Sequence, residues 1–144
     1  MMKTFSIGEV AQQFDLSIPT IRYYDKQGLI PDLAKDAAGN RVFTPYNIAT
    51  LEIIQCLKLA GMQIKDIKVF IRWCLAGDAT LKLRKAMFDN LKVSLEQKMQ
   101  QLSATLDEIN FKQAYYNKAI ADGTEKYVQT MSTEQILAAA QKLG

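Results

Sequence analysis

Arg22-Tyr23-Tyr24-Asp25 stands in the second of two short amphipathic segments, and its flanks organise the first half of the chain. Upstream, Ser6-Ile7-Gly8-Glu9 is a capping-box pattern, so a helix opens there and turns Val10, Ala11 and Phe14 inward. Asp15-Leu16 leads into a turn. Ser17 caps a second helix, whose Pro19 is tolerated within the first turn. Ile18, Ile21 and, one turn on, Tyr24 or Asp25 define the faces of that helix, and Gly28 sits where a left-handed residue would stop it. Two short helices this close together predict a helix-turn-helix. From Leu29 to Phe43 two short extended pieces flank the turn-rich Asp36-Ala37-Ala38-Gly39-Asn40, which reads as a hairpin wing.

Thr44-Pro45 restarts helix, with threonine as cap and proline at the first helical position. Ile48, Leu51, Ile54 and Leu57 recur at helical spacing until Gly61. A further helix carries Ile64, Ile67, Phe70, Ile71, Cys74 and Leu75 on one side and ends at Gly77. From Thr80 to Asp122 there is neither glycine nor proline. Leu81, Phe88, Leu95, Leu102, Ile109 and Tyr116 recur every seventh residue, and Leu91, Met99 and Leu106 fill in between. A repeated step of four around Leu95 and Met99 resembles a stutter. Such a helix is on the order of 60 Å long at 1.5 Å per residue. A long core helix within one chain is the alternative, but too little chain remains to cover it. The stripe therefore predicts a homodimer whose interface holds Phe88, Leu91, Leu95, Met99, Leu102, Leu106 and Ile109. After Gly123, Ser132-Thr133-Glu134-Gln135 starts a short amphipathic helix with Ile136, Leu137, Ala140 and Leu143, docking on the dimer helix or on the first half. The predicted fold is mainly α: a winged helix-turn-helix (1–77), a long antiparallel coiled-coil dimerisation helix (78–122) and a tail with a short helix (123–144).

Composition narrows the function. No apolar run approaches the roughly 18 to 20 residues of a membrane span, and the first residues lack a signal-peptide layout, so no membrane partner and a cytoplasmic, nucleoid-associated location are expected. Net charge is +3 and does not segregate: residues 1–79 hold nine Lys/Arg against eight Asp/Glu, and residues 80–144 nine against seven. That is no polybasic coat, so any DNA contact depends on local placement of cations. Histidine is absent, which removes the commonest general base and neutral metal ligand. With no resolving cysteine motif either, a thiol enzyme has no support, and neither a cofactor nor a metal is expected.

Taken in order and spacing, Ser6-Ile7-Gly8-Glu9-Val10-Ala11, Ser17-Ile18-Pro19-Thr20-Ile21, Arg22-Tyr23-Tyr24-Asp25, Gly28-Leu29-Ile30-Pro31 and Gly39-Asn40-Arg41-Val42-Phe43 closely resemble the MerR family of bacterial transcription regulators. The match runs from about Thr4 to Ala76. The resemblance implies a dimer on double-stranded promoter DNA between two elements whose spacing is too long for RNA polymerase, with effector binding bending and untwisting that DNA. In a helix-turn-helix the second helix enters the major groove while surrounding groups grip phosphates. Ser17, Thr20, Arg22, Tyr23, Tyr24 and Lys26 are the candidate contacts there, and Arg41 with Phe43 beneath it in the wing. The resemblance supports Arg22, Tyr23 and Arg41 in particular. Tyr24 can equally be a core aromatic, and Arg22 can pair with Asp25 on its own helix. A non-switching architectural DNA binder is a rival, although such a protein needs no rigid dimer strut.

The metal-sensing members of that family use cysteines near the end of the dimer helix, whereas this chain has only Cys56 and Cys74. A small molecule, an electrophile or a redox signal remains as the effector. Ile54-Gln55-Cys56-Leu57-Lys58-Leu59-Ala60-Gly61 resembles the segment that bears the reactive cysteine in the aldehyde- and nitric-oxide-linked branch. A thiolate suits that work because it is nucleophilic and oxidises reversibly. Cysteine is also a frequently buried residue, and Cys74, on a face with Ile67, Phe70 and Ile71, is expected to be packed. Trp73, Tyr115 and Tyr116 are candidates for a pocket taking a non-covalent effector.

Overall fold

The computed structural model describes residues 3–143. In chain order the elements are β1 (Phe5–Ser6), α1 (Ile7–Phe14), α2 (Ile18–Lys26), β2 (Ala34–Lys35), β3 (Arg41–Phe43), α3 (Pro45–Leu59), α4 (Ile64–Ala76), α5 (Leu81–Asp122) and α6 (Thr133–Leu143). Single 3-10 turns lie at Asp78–Thr80 and Val128–Thr130. The chain is mainly helical, with a hairpin wing and one long helix, as the periodicity predicts. It divides into two compact units, Met1–Leu91 and Lys92–Gly144.

Local chemistry sets the helix ends of the first unit. Ser6 Oγ accepts from the Glu9 N–H and Glu9 Oε1 accepts from the Ser6 N–H, a complete capping box. Asp15 closes α1 at φ 52°, and Leu16 N–H reaches back to the Ala11 carbonyl. Ser17 Oγ accepts from the Thr20 N–H at the start of α2. Gly28 takes φ 77° at its end, which lets Leu29 N–H bond the Tyr24 carbonyl at 3.0 Å. Few side chains adopt that backbone conformation without strain, which accounts for the glycine.

β2 and β3 pair antiparallel, with Lys35 opposite Arg41. Asp36 Oδ1 holds the connecting turn by accepting from the Ala38 and Asn40 N–H groups. β1 adds to the other edge of β3, placing Phe5 opposite Phe43. This third strand is absent from the sequence reading, because two residues carry no period to detect.

Val10 and Phe14 of α1, Ile21 and Tyr24 of α2, Leu29, Ile30 and Phe43 pack with the inner faces of α3 and α4 into one core. Burying each large side chain contributes on the order of 1.5–3 kcal/mol, enough to hold short helices that would not persist alone. Asn47 is a polar member of this interior, 1 % exposed. Its Oδ1 accepts from Thr44 N–H and Oγ–H while its Nδ2 donates to the Pro31 carbonyl, so the start of α3 is tied to the chain leaving α2. Gln55 Nε2 donates to the Phe14 carbonyl at 3.0 Å and ties α3 to the end of α1.

In the second unit, Ser132 and Gln135 cap α6 reciprocally. The helix lays Ile136 against Ala114 and Ala119 of α5 and Val128 of the connection. The tail thus docks on the end of the long helix, one of the two placements expected. All of residues 92–110 are exposed, and Leu95, Met99, Leu102, Leu106 and Ile109 among them are between 42 % and 69 % exposed. Among the described residues no helix is long and apolar enough to cross a membrane.

Candidate nucleic-acid interface

α2 has two chemically distinct faces. Ile21 and Tyr24 enter the core, while Pro19, Arg22, Tyr23 and Lys26 are exposed and follow one another at helical spacing along the outer side. Ser17 is exposed and Thr20 half-buried at the helix start, their hydroxyl oxygens 2.7 Å apart. Neither Arg22 nor Lys26 has an ion-pair partner among the described residues. This row presents two cations and a phenol on a rigid, capped helix, the arrangement that phosphates and base edges call for. Of the candidate contacts on this helix, Ser17, Arg22, Tyr23 and Lys26 are exposed and Thr20 is half-buried.

Two of the expected contacts are corrected by burial. Phe43 is fully buried opposite Phe5, and its ring belongs to the core. Tyr24 is 7 % exposed and packs in that same core. Burial pushes its phenol above the usual value near 10.0, and the neighbouring Tyr23 adds to the effect. Tyr24 positions α2 and leaves the outward hydroxyl to Tyr23.

The wing is fastened by an ion pair at Arg41, a residue expected to contact DNA, and the alternative pairing of Arg22 with Asp25 is not the one formed. Asp25 takes Arg41, not Arg22: Arg41 Nε donates to Asp25 Oδ2 at 2.7 Å, with the two side chains only 16 % and 24 % exposed. The bond joins β3 to the last turn of α2 and leaves Arg22 free on the outer face. Alternation along a strand carries this signal, since Arg41 and Phe43 lie two residues apart and share the inner side. Lys35, across the hairpin from Arg41, is exposed and is a wing cation that the sequence reading passed over. Asn47 was also missed, although Thr44-x-x-Asn47 is itself a reciprocal cap.

The candidate sensors occupy different surroundings. Both cysteines are free thiols. Cys56 is exposed on α3, immediately after the Gln55 tie. Cys74 is half-buried and lines a cavity of about 220 Å³ with Tyr46, Thr50, Ile53 and Phe70. Trp73 lines a separate cleft of about 340 Å³ with Met62, Asp66, Val69, Met87 and Leu91, all within the first unit. Tyr115 and Tyr116 belong to the second unit, where their rings meet edge to face at 5.0 Å and Tyr116 lines a cleft with Ile109 and Lys112. Of the three aromatics expected in one pocket, Trp73 and Tyr116 line separate clefts and Tyr115 lines neither, packing instead against the core of the second unit. Desolvation raises the Tyr115 phenol above its usual value, followed by Glu125 and Tyr116. Phe88 and Leu91 also serve the first unit: Phe88 stands edge-on to Phe70 at 5.6 Å, and Leu91 packs against the core. Among the described residues no group of histidine, cysteine and carboxylate side chains could hold a metal ion.

Residues 5–72 match the model of the MerR HTH family regulatory proteins. An uncharacterised HTH-type transcriptional regulator of Haemophilus influenzae is 38 % identical over 125 residues, covering 87 % of this chain and 93 % of the relative. The crystal structure of HiNmlR, described as a MerR family regulator lacking the sensor domain and bound to promoter DNA, superposes with a TM-score of 0.85 at 36 % identity, covering 91 % of this chain and 98 % of that one. A MerR family regulator from Bacillus thuringiensis superposes with a TM-score of 0.71 at 39 % identity, over 78 % of this chain and 98 % of that one.

Proposed function

The chain belongs to the MerR family of helix-turn-helix regulators and is a DNA-binding transcriptional regulator; from that premise we propose that it acts as a homodimer at a promoter and is switched by an electrophile or thiol oxidant at Cys56. The observation that carries the DNA reading is the outer row of α2, with Arg22, Tyr23 and Lys26 exposed on a helix whose other face is fully committed to the core. Arg22 suits guanine edges or phosphate, Tyr23 and Lys26 suit phosphate, and the pinned wing carries Lys35 and the remaining donors of Arg41 to the flanking backbone. The structure of HiNmlR on promoter DNA supports this mode for a relative of similar length.

Switching needs a modest energy. Bending DNA by the amount such regulators impose costs on the order of 1–6 kcal/mol, so a small change in how the protein holds its two half-sites determines whether RNA polymerase can engage the promoter. Cys56 is placed to supply it. Its thiol is open to solvent, and its neighbour Gln55 makes the bond that fixes α3 against the end of α1. Addition of an aldehyde forms one S–C bond, breaks the carbonyl π bond and leaves the thiol proton on the former carbonyl oxygen. The added bulk beside Gln55 loosens that tie and shifts α1 and α2 against α3.

A second reading rests on the cleft of about 340 Å³ beside Trp73, within the usual size range of ligand pockets. There a small molecule would bind non-covalently and bias the start of α5. In vitro transcription from the promoter upstream of the protein's own gene separates the two. Formaldehyde, methylglyoxal or diamide should switch wild type and leave Cys56→Ser unresponsive. Equal responses would transfer the role to the Trp73 cleft.

A further inference from the structure

The cleft beside Trp73 has a polarity that defines its ligand class. Its floor is apolar: Trp73, Met62, Met87 and Leu91 are half-buried there. At its rim stand Asp66 and Asn90, both exposed. None of its lining residues is cationic, and Asp66 has no ion-pair partner among the described residues. From this arrangement we infer that the cleft takes a hydrophobic organic cation, an aromatic body carrying a quaternary ammonium or phosphonium centre. The inference rests on the second reading above, that the cleft takes a non-covalent ligand, and adds the charge and shape of that ligand.

Size, floor and rim each select that chemistry. The cleft is about 340 Å³, within the range that small organic ligands occupy. Tryptophan offers the strongest aromatic face for a cation, and the thioethers of Met62 and Met87 mould to aromatic bodies of varied outline. The Asp66 carboxylate supplies the opposite charge at the mouth. It lies in the first turn of α4, where the helix dipole steadies the carboxylate without neutralising it. An anion of the same size would meet that carboxylate as a like charge. A neutral body would fill the floor but displace water from Asp66 without replacing its interactions.

The same cleft spans a joint. Asp66 and Trp73 belong to α4, whereas Met87, Asn90 and Leu91 belong to α5. Between the two helices Gly77 takes φ 85°. Thr80 Oγ1–H donates to the Trp73 carbonyl, and the same oxygen accepts from Arg84 Nε at 3.1 Å. Arg84 Nη2 donates in turn to the Gly77 carbonyl at 2.9 Å. Trp73 therefore presents its side chain to the cleft and its carbonyl to the joint. A cation held against that ring fixes α4 and the start of α5 at one angle, which is the coupling a non-covalent effector needs.

Trp73 is the chain's one tryptophan, so its fluorescence reports the cleft directly. Tetraphenylphosphonium and tetraphenylborate, close in size and opposite in charge, are the probes, titrated against the full chain at fixed ionic strength. Tetraphenylphosphonium should quench Trp73 saturably, and tetraphenylborate should bind about tenfold more weakly or not at all. Asp66→Asn, at an exposed position, should keep the fold and weaken tetraphenylphosphonium binding about fivefold. Equal or tighter binding of tetraphenylborate, or unchanged affinity in Asp66→Asn, overturns the cation assignment and leaves the cleft as a ligand site. A Trp73 signal that neither ion moves overturns both.

Discussion

Asp25→Ala and Arg41→Ala, separately and together, measure what the wing's fastening contributes. The bond is short, 2.7 Å, and both side chains are less than a third exposed. Solvent-exposed ion pairs contribute roughly 0.2–1 kcal/mol, and hydrogen bonds to charged groups about 1.5–3 kcal/mol. Because partial exposure weakens this pair, a coupling energy of about 1.5 kcal/mol is expected from the double-mutant cycle, read by urea unfolding at one protein concentration. DNA binding adds an independent reading. Asp25→Asn keeps the side-chain shape, removes the charge on Arg41's partner and frees that guanidinium to follow phosphates anywhere. Non-specific binding should strengthen, and the slope of log K against log salt should steepen by up to about 0.9. Preference for the operator over random DNA should fall at the same time, because the wing is no longer registered on α2. A coupling energy below about 0.3 kcal/mol with unchanged specificity would refute the claim that this pair positions the wing.

Arg22→Ala should weaken operator binding by about 1–3 kcal/mol, a five- to 150-fold rise in Kd by fluorescence anisotropy, while the unfolding midpoint barely moves because the side chain is exposed. Asn47→Ala strands the Pro31 carbonyl and the Thr44 donors in the interior, so thermal or urea unfolding should show a loss of about 1–3 kcal/mol. Stability should be insensitive to Tyr24 below pH 10 and should fall as pH rises above it. The unfolded phenol ionises near 10.0 while the buried one ionises later, so the unfolded state binds fewer protons across that window. Tyr24→Phe should flatten that part of the decline, and an identical pH profile for both proteins would remove the assignment.

The parts of this fold that are legible in the sequence are those written over three or four residues. Ser6 with Glu9, Ser17 with Thr20, Thr44 before Pro45 and Ser132 with Gln135 each mark a helix start because cap and capped group are neighbours in the chain. The seven-residue recurrence from Leu81 likewise announces the long helix without tertiary help. What the sequence hides is pairing across distance. β1 exists because Phe5 finds Phe43, and Asp25 finds Arg41 in the wing although Arg22 is three residues away. In the sequence Tyr24 and Phe43 look like DNA contacts, because an aromatic beside a cation has the same signature whether it faces solvent or core. Only the packing of the inner face of α2 into the common core separates Tyr23 from Tyr24.

Footprinting on the DNA upstream of the protein's own gene, with wild type and Arg22→Ala at matched concentration, tests the central claim most directly. The account predicts a two-fold symmetric protected site with half-sites one helical turn apart, formed at physiological salt by wild type and lost or sharply weakened in Arg22→Ala. Protection with no sequence preference, or equal protection by both proteins, would contradict the assignment of the outer face of α2 as the surface that reads DNA.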